Sequence, residues 1–270
     1  MLTNWRGTRF GKALAAVLVD PDNMDEAGLG SIEKLLLDER VAGSDKTYFK
    51  KMAYLHLIKE IVADRRISDG EQRVLTKIEG LFALSPDFHR DARAEGYKEV
   101  YLEAIADHEL TQDEEAQLAH IQAGLSISDG AIAEELDFVD RLRDLRELRN
   151  GVLPTIAPSK PLQKTEICHC EVDARVLKER ILRSYQSEGR KFKVRGLVID
   201  KEGTLFVTNK RMLIVHSGTT TIRYDKILDL EVDDDRSLLT ITKDGVRTPI
   251  MITTPDALRV GAVIAGAASI

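Results

Sequence analysis

The sequence is poor in cysteine, in aromatic residues and in long apolar runs, and each shortage excludes a class of protein. Only two cysteines occur in 270 residues, Cys168 and Cys170, and they lie too close together for an ordinary structural disulfide. This excludes a disulfide-stabilised secreted domain and favours a reducing cytoplasm. No apolar run approaches the roughly 18 residues of a membrane-spanning helix. The first residues also lack the basic start and apolar stretch of a secretory signal.

Charge is divided unevenly along the chain, whose formal net charge is −6. Residues 1–160 hold 21 Lys+Arg and 30 Asp+Glu, whereas residues 161–270 hold 18 and 15. An acidic half joined to a mildly basic half indicates different partners for each. A nucleic-acid-binding protein usually has a broad basic surface, so nucleic acid is not an expected partner.

Two stretches repeat each other at an offset of 43 residues. ADRRISDGE at 63–71 recurs as ADHELTQDE at 106–114. Each copy puts Ser or Thr three residues before Glu, which is the capping-box pattern of a helix start. Each copy is therefore predicted to be a helix, a short acidic loop and a capped helix. The first half is then an all-α domain of repeated helical hairpins.

Apolar spacing and prolines divide the chain into four segments. We predict an N-terminal helical preamble at 1–45, with helices near 9–19 and 31–40, and the all-α domain at 46–150. A linker with three prolines follows at 151–165, and a β domain occupies 166–270. The predicted fold class is α+β with two domains.

The β domain opens with residues 173–185, whose pattern is compatible with a helix. Short segments rich in β-branched residues follow, separated by Gly and Asp turns, and they predict antiparallel strands. The last segment, from Ala257 to about Ala268, is almost wholly small and apolar. A helix of that composition must be covered, so we expect it to close an antiparallel β-barrel.

The helical half resembles the TerB-like family, which is associated with bacterial tellurite resistance and stress responses. The resemblance covers about 46–148 and rests on an Ala-Asp, a following apolar residue, a Ser/Thr cap, a Glu and a Leu. In the first copy these are Ala63, Asp64, Ile67, Ser68, Glu71 and Leu75; in the second they are Ala106, Asp107, Leu110, Thr111, Glu114 and Leu118. Arg65, Arg66 and His108 depart from the family pattern, which often has Gly or acidic residues there.

The second half is similar to small barrels of the pleckstrin-homology (PH) and GRAM type. The motif is Gly-x-Leu-x-x-Thr-Asn-x-Arg followed by two spaced isoleucines, and it is formed by Gly203, Leu205, Thr208, Asn209, Arg211, Ile222 and Ile227. The resemblance implies a strand sandwich closed by a C-terminal helix. It also implies binding of lipids or proteins rather than catalysis.

A candidate lipid- or anion-binding site lies on one predicted strand. Lys191, Lys193 and Arg195 alternate with Phe192 and Val194, so on a strand three cations share one face. This is similar to the phosphate-binding arrangement of many pleckstrin-homology domains, and Lys210 and Arg211 are candidates to extend it. The alternative is an ordinary solvated strand face.

A candidate metal site lies in the acidic loops. Neither loop fits an EF-hand, because position 12 counted from Asp64 or from Asp107 is a leucine. A looser divalent-cation site would use Asp64, Glu71, Asp107 and Glu114 if the two hairpins face each other. The alternative is that these carboxylates complete turns and helix caps. No other cofactor is indicated.

No motif points to catalysis or to structural zinc. Cys168-His169-Cys170 has no second ligand pair to complete a tetrahedral site. There is no Gly-x-Ser-x-Gly and no phosphate-binding Gly loop, so we expect no enzymatic activity.

Three functional hypotheses remain. The first is a cytoplasmic bacterial stress-response adaptor, whose helical domain binds a protein or cation and whose β domain binds protein or the surface of the inner membrane. The second is a pure protein-interaction or self-association module. The third is a metal or tellurium-oxyanion sensor. No small-molecule substrate is indicated.

Overall fold

The computed structural model describes residues 30–34, 37, 43–187 and 190–269. In this part the fold is α+β: helices come first, and a seven-stranded antiparallel sheet with one further helix follows. The chain divides into two compact units, one up to Leu142 and one from Arg143. Of the predicted helices in the preamble, the one near 9–19 lies outside the described residues. The one near 31–40 is described at 30–34, which is helical, and at residue 37, which is in a turn.

The helical elements succeed one another with short connections. They are α1 (Gly43–Val62), α2 (Asp69–Phe82), α3 (Pro86–Ala104), α4 (Gln112–Gly124) and α5 (Ala133–Arg149), with a 3-10 turn at Asp129–Ala131 before α5. α5 crosses the division between the two units.

Both predicted capping boxes are present. Ser68 Oγ accepts a bond from Glu71 N at 3.1 Å, and the Glu71 carboxylate accepts one from Ser68 N at 2.8 Å. Thr111 and Glu114 make the same reciprocal pair, at 3.2 and 2.9 Å. Each pair satisfies two amide groups that a helix start would otherwise leave without a partner.

The core of the helical unit is formed by fully buried aliphatic and aromatic side chains. Among them are Tyr54, Leu57, Ile58, Ile61, Ile78, Phe82, Tyr97, Leu118 and Ile121. α1 packs closely on α3 at Gly96, where a Cβ would lie 2.3 Å from Ile58 Cγ2. The absence of a side chain at Gly96 therefore sets how near the two helices approach.

The second unit is organised around one antiparallel sheet. Its strands are β1 (Cys168–Ser187), β2 (Arg190–Thr208), β3 (Arg211–Val215), β4 (Thr219–Arg223), β5 (Ile227–Asp233), β6 (Leu238–Lys243) and β7 (Ile250–Thr253). The strand order is β4-β3-β2-β1-β7-β6-β5. The final helix, α6 (Ala257–Ser269), is largely buried and packs on β1, β2, β5 and β6.

The expectation of a closed barrel is wrong. β4 and β5 are the two edges of the sheet and do not pair with each other in the described residues. After β4, a 3-10 turn at Tyr224–Lys226 carries the chain to the opposite edge, where β5 forms its ladder with β6. Because α6 packs on the sheet, the apolar face is buried without closure.

The helical pattern of 173–185 is also overridden, since these residues lie inside β1. β1 pairs with β2 almost along its whole length, from Cys168 opposite Thr208 to Ser187 opposite Arg190. β2 itself is one uninterrupted strand of 19 residues. The segment 151–165 contacts this sheet: Ile156 N donates to Cys168 O at 2.9 Å, and Ser159 N donates to Glu171 at 2.8 Å.

Candidate functional site

β1 and β2 extend well beyond the rest of the sheet. β1 pairs with β7 only at Arg175–Leu177, and β2 pairs with β3 only at Thr204–Val207. From 178 to 187 and from 190 to 199, the two strands have only each other as neighbours in the described part of the chain. We call these residues the ribbon. Ten residues of strand span roughly 33 Å.

The pairing register assigns the ribbon's side chains to two faces, because directly opposed residues share a face. Tyr185 lies opposite Phe192, and Arg183 lies opposite Val194, on one face. Leu182 is the extra residue of a β-bulge and belongs to this face as well, since a Cβ at Gly196 would lie 2.4 Å from Leu182 Cδ1. We call this the aromatic face.

The opposite face combines cations near the far end of the ribbon with apolar residues near its base. Lys193 lies opposite Ser184, and Arg195 lies opposite Ile181. Leu197 and Ile199 follow toward the base. We call this the basic face. Lys191 lies in β2 opposite Gln186, and its side chain is outside the described residues.

The ribbon exposes an unusual amount of apolar surface. Half of the large apolar residues that the described part of the chain exposes belong to it: Ile181, Leu182, Tyr185, Phe192, Val194, Leu197 and Ile199. Each of the seven is between 44 and 59% exposed. Contiguous exposed apolar surface is typical of a site that binds another surface.

The ribbon is also strongly basic. Residues 178–199 contain seven Lys+Arg and two Glu, a net charge of +5 in a chain whose total is −6. Arg195 pairs with Glu179 at 3.0 Å, and Arg180 pairs with Asp200 at 3.3 Å, both in exposed positions. Lys178, Arg183 and Lys193 form no ion pair within the described residues, so their charges are available to an external anion.

The two remaining predicted cations lie at the other end of β2. Lys210 lies in the turn between β2 and β3 and donates a hydrogen bond to Thr165 Oγ1. Arg211 binds Glu166 through two parallel bonds, Nε to Oε1 at 2.9 Å and Nη2 to Oε2 at 3.1 Å. The structure therefore does not bring Lys210 and Arg211 together with Lys193 and Arg195.

The pair of Arg211 and Glu166 is a structural contact that fixes the start of the sheet unit. The Glu166 side chain is fully buried, and its carboxylate also accepts a bond from Thr208 Oγ1 at 2.9 Å. The guanidinium bonds, and then the Thr208 hydroxyl and the Gln163 amide, outweigh desolvation and lower the pKa of Glu166 to about 2. The carboxylate is thus ionised at every physiological pH.

The four carboxylates proposed for a cation serve local backbone geometry. Glu71 and Glu114 complete the capping boxes. Asp64 Oδ1 accepts a bond from Arg66 N at 2.9 Å, and Asp107 Oδ1 accepts one from Glu109 N at 3.0 Å. Over 43–187 and 190–269, no three His, Cys, Asp or Glu side chains surround a common point. The cation and tellurium-oxyanion hypothesis stays a prediction without a site of its own.

The Cys168-His169-Cys170 segment begins β1. Cys168 is buried in a small apolar cluster with Phe206 and Leu213. Burial raises the pKa of Cys170 to about 11, so this thiol stays protonated. His169 Nδ1 lies 2.7 Å from Pro154 O. This arrangement fits packing rather than metal ligation.

A partly buried polar network in the helical unit was not predicted. Arg93 donates through Nε and Nη2 to Glu79 Oε1, at 3.1 and 2.6 Å, and through Nη1 to Leu125 O at 2.8 Å. Tyr54 donates its hydroxyl proton to the same Glu79 oxygen. Burial, and then the Glu79 hydrogen bond, raise the pKa of Tyr54 above its ordinary value. The network ties α1, α2, α3 and the end of α4 together.

Comparison with known proteins adds no name to this site. No protein-family model matches the chain, and none of the curated proteins matches its sequence. In the described part of the chain, no helix is both long and apolar enough to cross a membrane.

Alternation along one strand predicted the basic face of the ribbon and placed Phe192 and Val194 opposite it, but the residues that β1 adds to the aromatic face were not predicted. The helical pattern of 173–185 concealed the strand positions of Leu182, Arg183 and Tyr185. A usable signal was present: ILRSY and KFKVR flank the loop-like QSEGR, whose Ser, Glu and Gly are typical of a hairpin connection.

Proposed function

We propose that this protein is a non-enzymatic adaptor that attaches to anionic membrane surfaces through the ribbon. The observation that carries the proposal is the net charge of +5 on a protruding element that also exposes seven large apolar side chains. An anionic lipid surface offers negative charge and apolar area in one plane, which few soluble partners do.

The expected attachment is weak and reversible. Each cation near an anionic membrane contributes on the order of 1 kcal/mol, and salt screens this attraction. Lys178, Arg183 and Lys193, which form no ion pair within the described residues, would give a modest affinity that salt lowers.

The helical unit supplies the second half of the adaptor in this proposal. Its acidic balance and its resemblance to TerB-like domains support binding of a protein partner in a stress response. The seven-stranded order and the packing of α6 support the relation of the sheet unit to PH- and GRAM-type domains. On this proposal the protein works in the bacterial cytoplasm, at the inner face of the membrane.

Co-sedimentation with vesicles tests the proposal. The full chain is mixed with neutral or with anionic vesicles at low and at high salt. We expect binding to anionic vesicles only, decreasing with salt. The variant R183E/K193E should lose this binding, because two cations of the ribbon, neither in an ion pair with a described residue, become anions.

The matched control is R236E/R259E, which makes the same change in net charge at exposed positions in the β5–β6 connection and in α6. It should bind as the unchanged protein does. Equal losses in both variants would mean that only net charge matters. Binding by neither the protein nor the control in any condition would reject the membrane function.

Self-association is the second candidate, and the open strand edges favour it. Along the ribbon, the outer edges of β1 and β2 have no neighbouring strand in the described residues. Such edges recruit further strands. Sedimentation velocity without vesicles separates the candidates: a defined oligomer that survives R183E/K193E, together with no vesicle binding, would favour self-association.

A further inference from the structure

The ribbon has one face suited to contact the apolar region of a bilayer. Tyr185 and Phe192 stack near the end of the ribbon formed by residues 187 and 190, with ring centroids 5.5 Å apart and planes inclined by 18°. Val194 continues this face toward the base, and Leu182 covers the space left by Gly196. The four side chains are each between 44 and 59% exposed, so they form a continuous apolar strip without a cover in the described residues.

A cation lies within this strip. Arg183 is directly opposite Val194 on the aromatic face and has no ion pair within the described residues. Lys193 is on the other face, but the ribbon is only two strands wide, about 5 Å between strand axes. Long Lys and Arg side chains can pass around such an edge and keep their charges at the headgroups while their stems lie on apolar surface.

The charge of the ribbon distinguishes a membrane from a second ribbon as the cover for this face. Two ribbons that each carry +5 would repel when their faces meet. Anionic headgroups instead neutralise these charges, and Tyr, Phe and Leu are residue types favoured at the boundary between headgroups and acyl chains.

We propose that the aromatic face inserts into this boundary, with Tyr185, Phe192, Leu182 and Val194 below the headgroups and Arg183 at headgroup level. This inference rests on the proposed membrane function and adds the mode of contact. Insertion gives the attachment a component that salt does not screen, which adsorption through charge alone lacks.

Fluorescence of the full chain tests insertion directly. The only tryptophan is Trp5, so a W5F/F192W variant carries a single indole on the aromatic face. With anionic vesicles we expect its emission to shift to the blue and to be quenched by lipids brominated along the acyl chain. The companion variant W5F/S184W keeps every cation of the ribbon, reports from the basic face opposite Lys193, and should show a much smaller shift.

Four outcomes are distinguishable. Co-sedimentation with an unchanged F192W emission would overturn insertion and leave surface attachment standing. An equal shift at both positions would overturn the assignment of the face. A blue shift without vesicles that grows with protein concentration would show that a second copy covers the face, and would overturn the inference as well. No co-sedimentation at all would reject the proposed function itself.

A pair of truncating variants provides a second measurement. Y185S/F192S should weaken binding to anionic vesicles about tenfold or more, because two half-exposed aromatic side chains no longer leave water. I181S/L197S removes apolar area from the basic face and should change binding less than threefold. Similar losses in the two variants would overturn the inference. Circular dichroism of all variants establishes that the ribbon's strands remain formed.

Discussion

Arg65 and His108 adopt the same left-handed backbone conformation, with φ of 62° and 59°. They lie 43 positions apart, which is the offset at which the sequence repeats. Each amide donates to a carbonyl three residues earlier, Arg65 to Val62 at 3.0 Å and His108 to Ile105 at 2.9 Å. The two acidic loops thus form the same turn with the same backbone conformation. In each loop a residue with a Cβ adopts this conformation, which is costly for such residues.

Glycine at His108 should stabilise the protein. The left-handed conformation costs a residue with a Cβ about 1–2 kcal/mol, and glycine escapes most of that cost but loses more chain entropy on folding. We expect H108G to raise the free energy of unfolding by up to about 1 kcal/mol, measured by urea denaturation. R66G, at a position without positive φ, should lower it instead. A loss in H108G as large as that in R66G would contradict the explanation.

The buried pair of Glu166 and Arg211 should make stability depend on acid. The folded pKa of Glu166 is about 2, below the ordinary 4.5. Its contribution is therefore complete above pH 4.5 and is lost as pH falls toward 2. We expect E166Q to cost about 2–3 kcal/mol at neutral pH and to flatten the decline of stability in that acidic range, measured by urea midpoints.

The matched control for that prediction is the exposed pair of Arg175 and Glu202, whose side chains are 61 and 62% exposed. E202Q should cost less than about 0.5 kcal/mol, because solvent screens an exposed pair. An E166Q variant as mild as E202Q would show that the buried carboxylate contributes little.

Two glycines should respond to alanine in opposite directions. A Cβ at Gly203 would lie 2.0 Å from the carbonyl oxygen of Val215, and both strands are held there by their ladder. We expect G203A to cost about 2–3 kcal/mol. A Cβ at Gly80, inside α2, meets nothing within 4 Å. G80A should therefore add about 0.5–1 kcal/mol, because alanine is the better helix former. The midpoint of thermal unfolding should fall in G203A and rise in G80A.

Loss of the Arg93 guanidinium should destabilise the helical unit. R93M leaves the Leu125 carbonyl without the arginine donor and leaves the Tyr54 hydroxyl as the donor to the Glu79 carboxylate, and we expect a loss of about 2–4 kcal/mol in the free energy of unfolding by urea. R93K keeps the positive charge but not the several N–H donors of the guanidinium, so its loss of unfolding free energy should be intermediate. R90M, at a side chain that is 56% exposed, should stay within about 0.5 kcal/mol. An R93M variant as stable as R90M would exclude a structural role for the network.

Local patterns predicted the elements whose stability is local. The capped helices were found because Ser68 and Thr111 carry their own partners three residues later. Residues 173–185 were missed because a pattern of Leu, Ile and Arg at helical spacing is compatible with either structure. Pairing with β2 along its length decides in favour of a strand, and that partner is not contained in the segment itself.

The same limit applies to the candidate site. Alternation within one strand was enough to place Lys193 and Arg195 on one face. Predicting the aromatic face requires both strands and their register, because Tyr185 and Phe192 lie on different strands and stack across the ribbon. Lys210 and Arg211 were candidates to extend the basic face. The structure shows that β2 is a single long strand, which separates its two ends.

The sheet order also bears on how fast the protein folds. β1 lies between β2 and β7, so Arg175 pairs with Thr253, which is separated from it in sequence by five other strands. Contacts between residues so distant in sequence slow folding, whereas the turns and caps of the helical unit close within three or four residues. Refolding should then proceed in two stages, with near-final helical content early and native sheet late. Until β7 pairs with β1, the ribbon and its exposed apolar side chains belong to a partly formed sheet. Misassembly with other chains competes with folding during this interval.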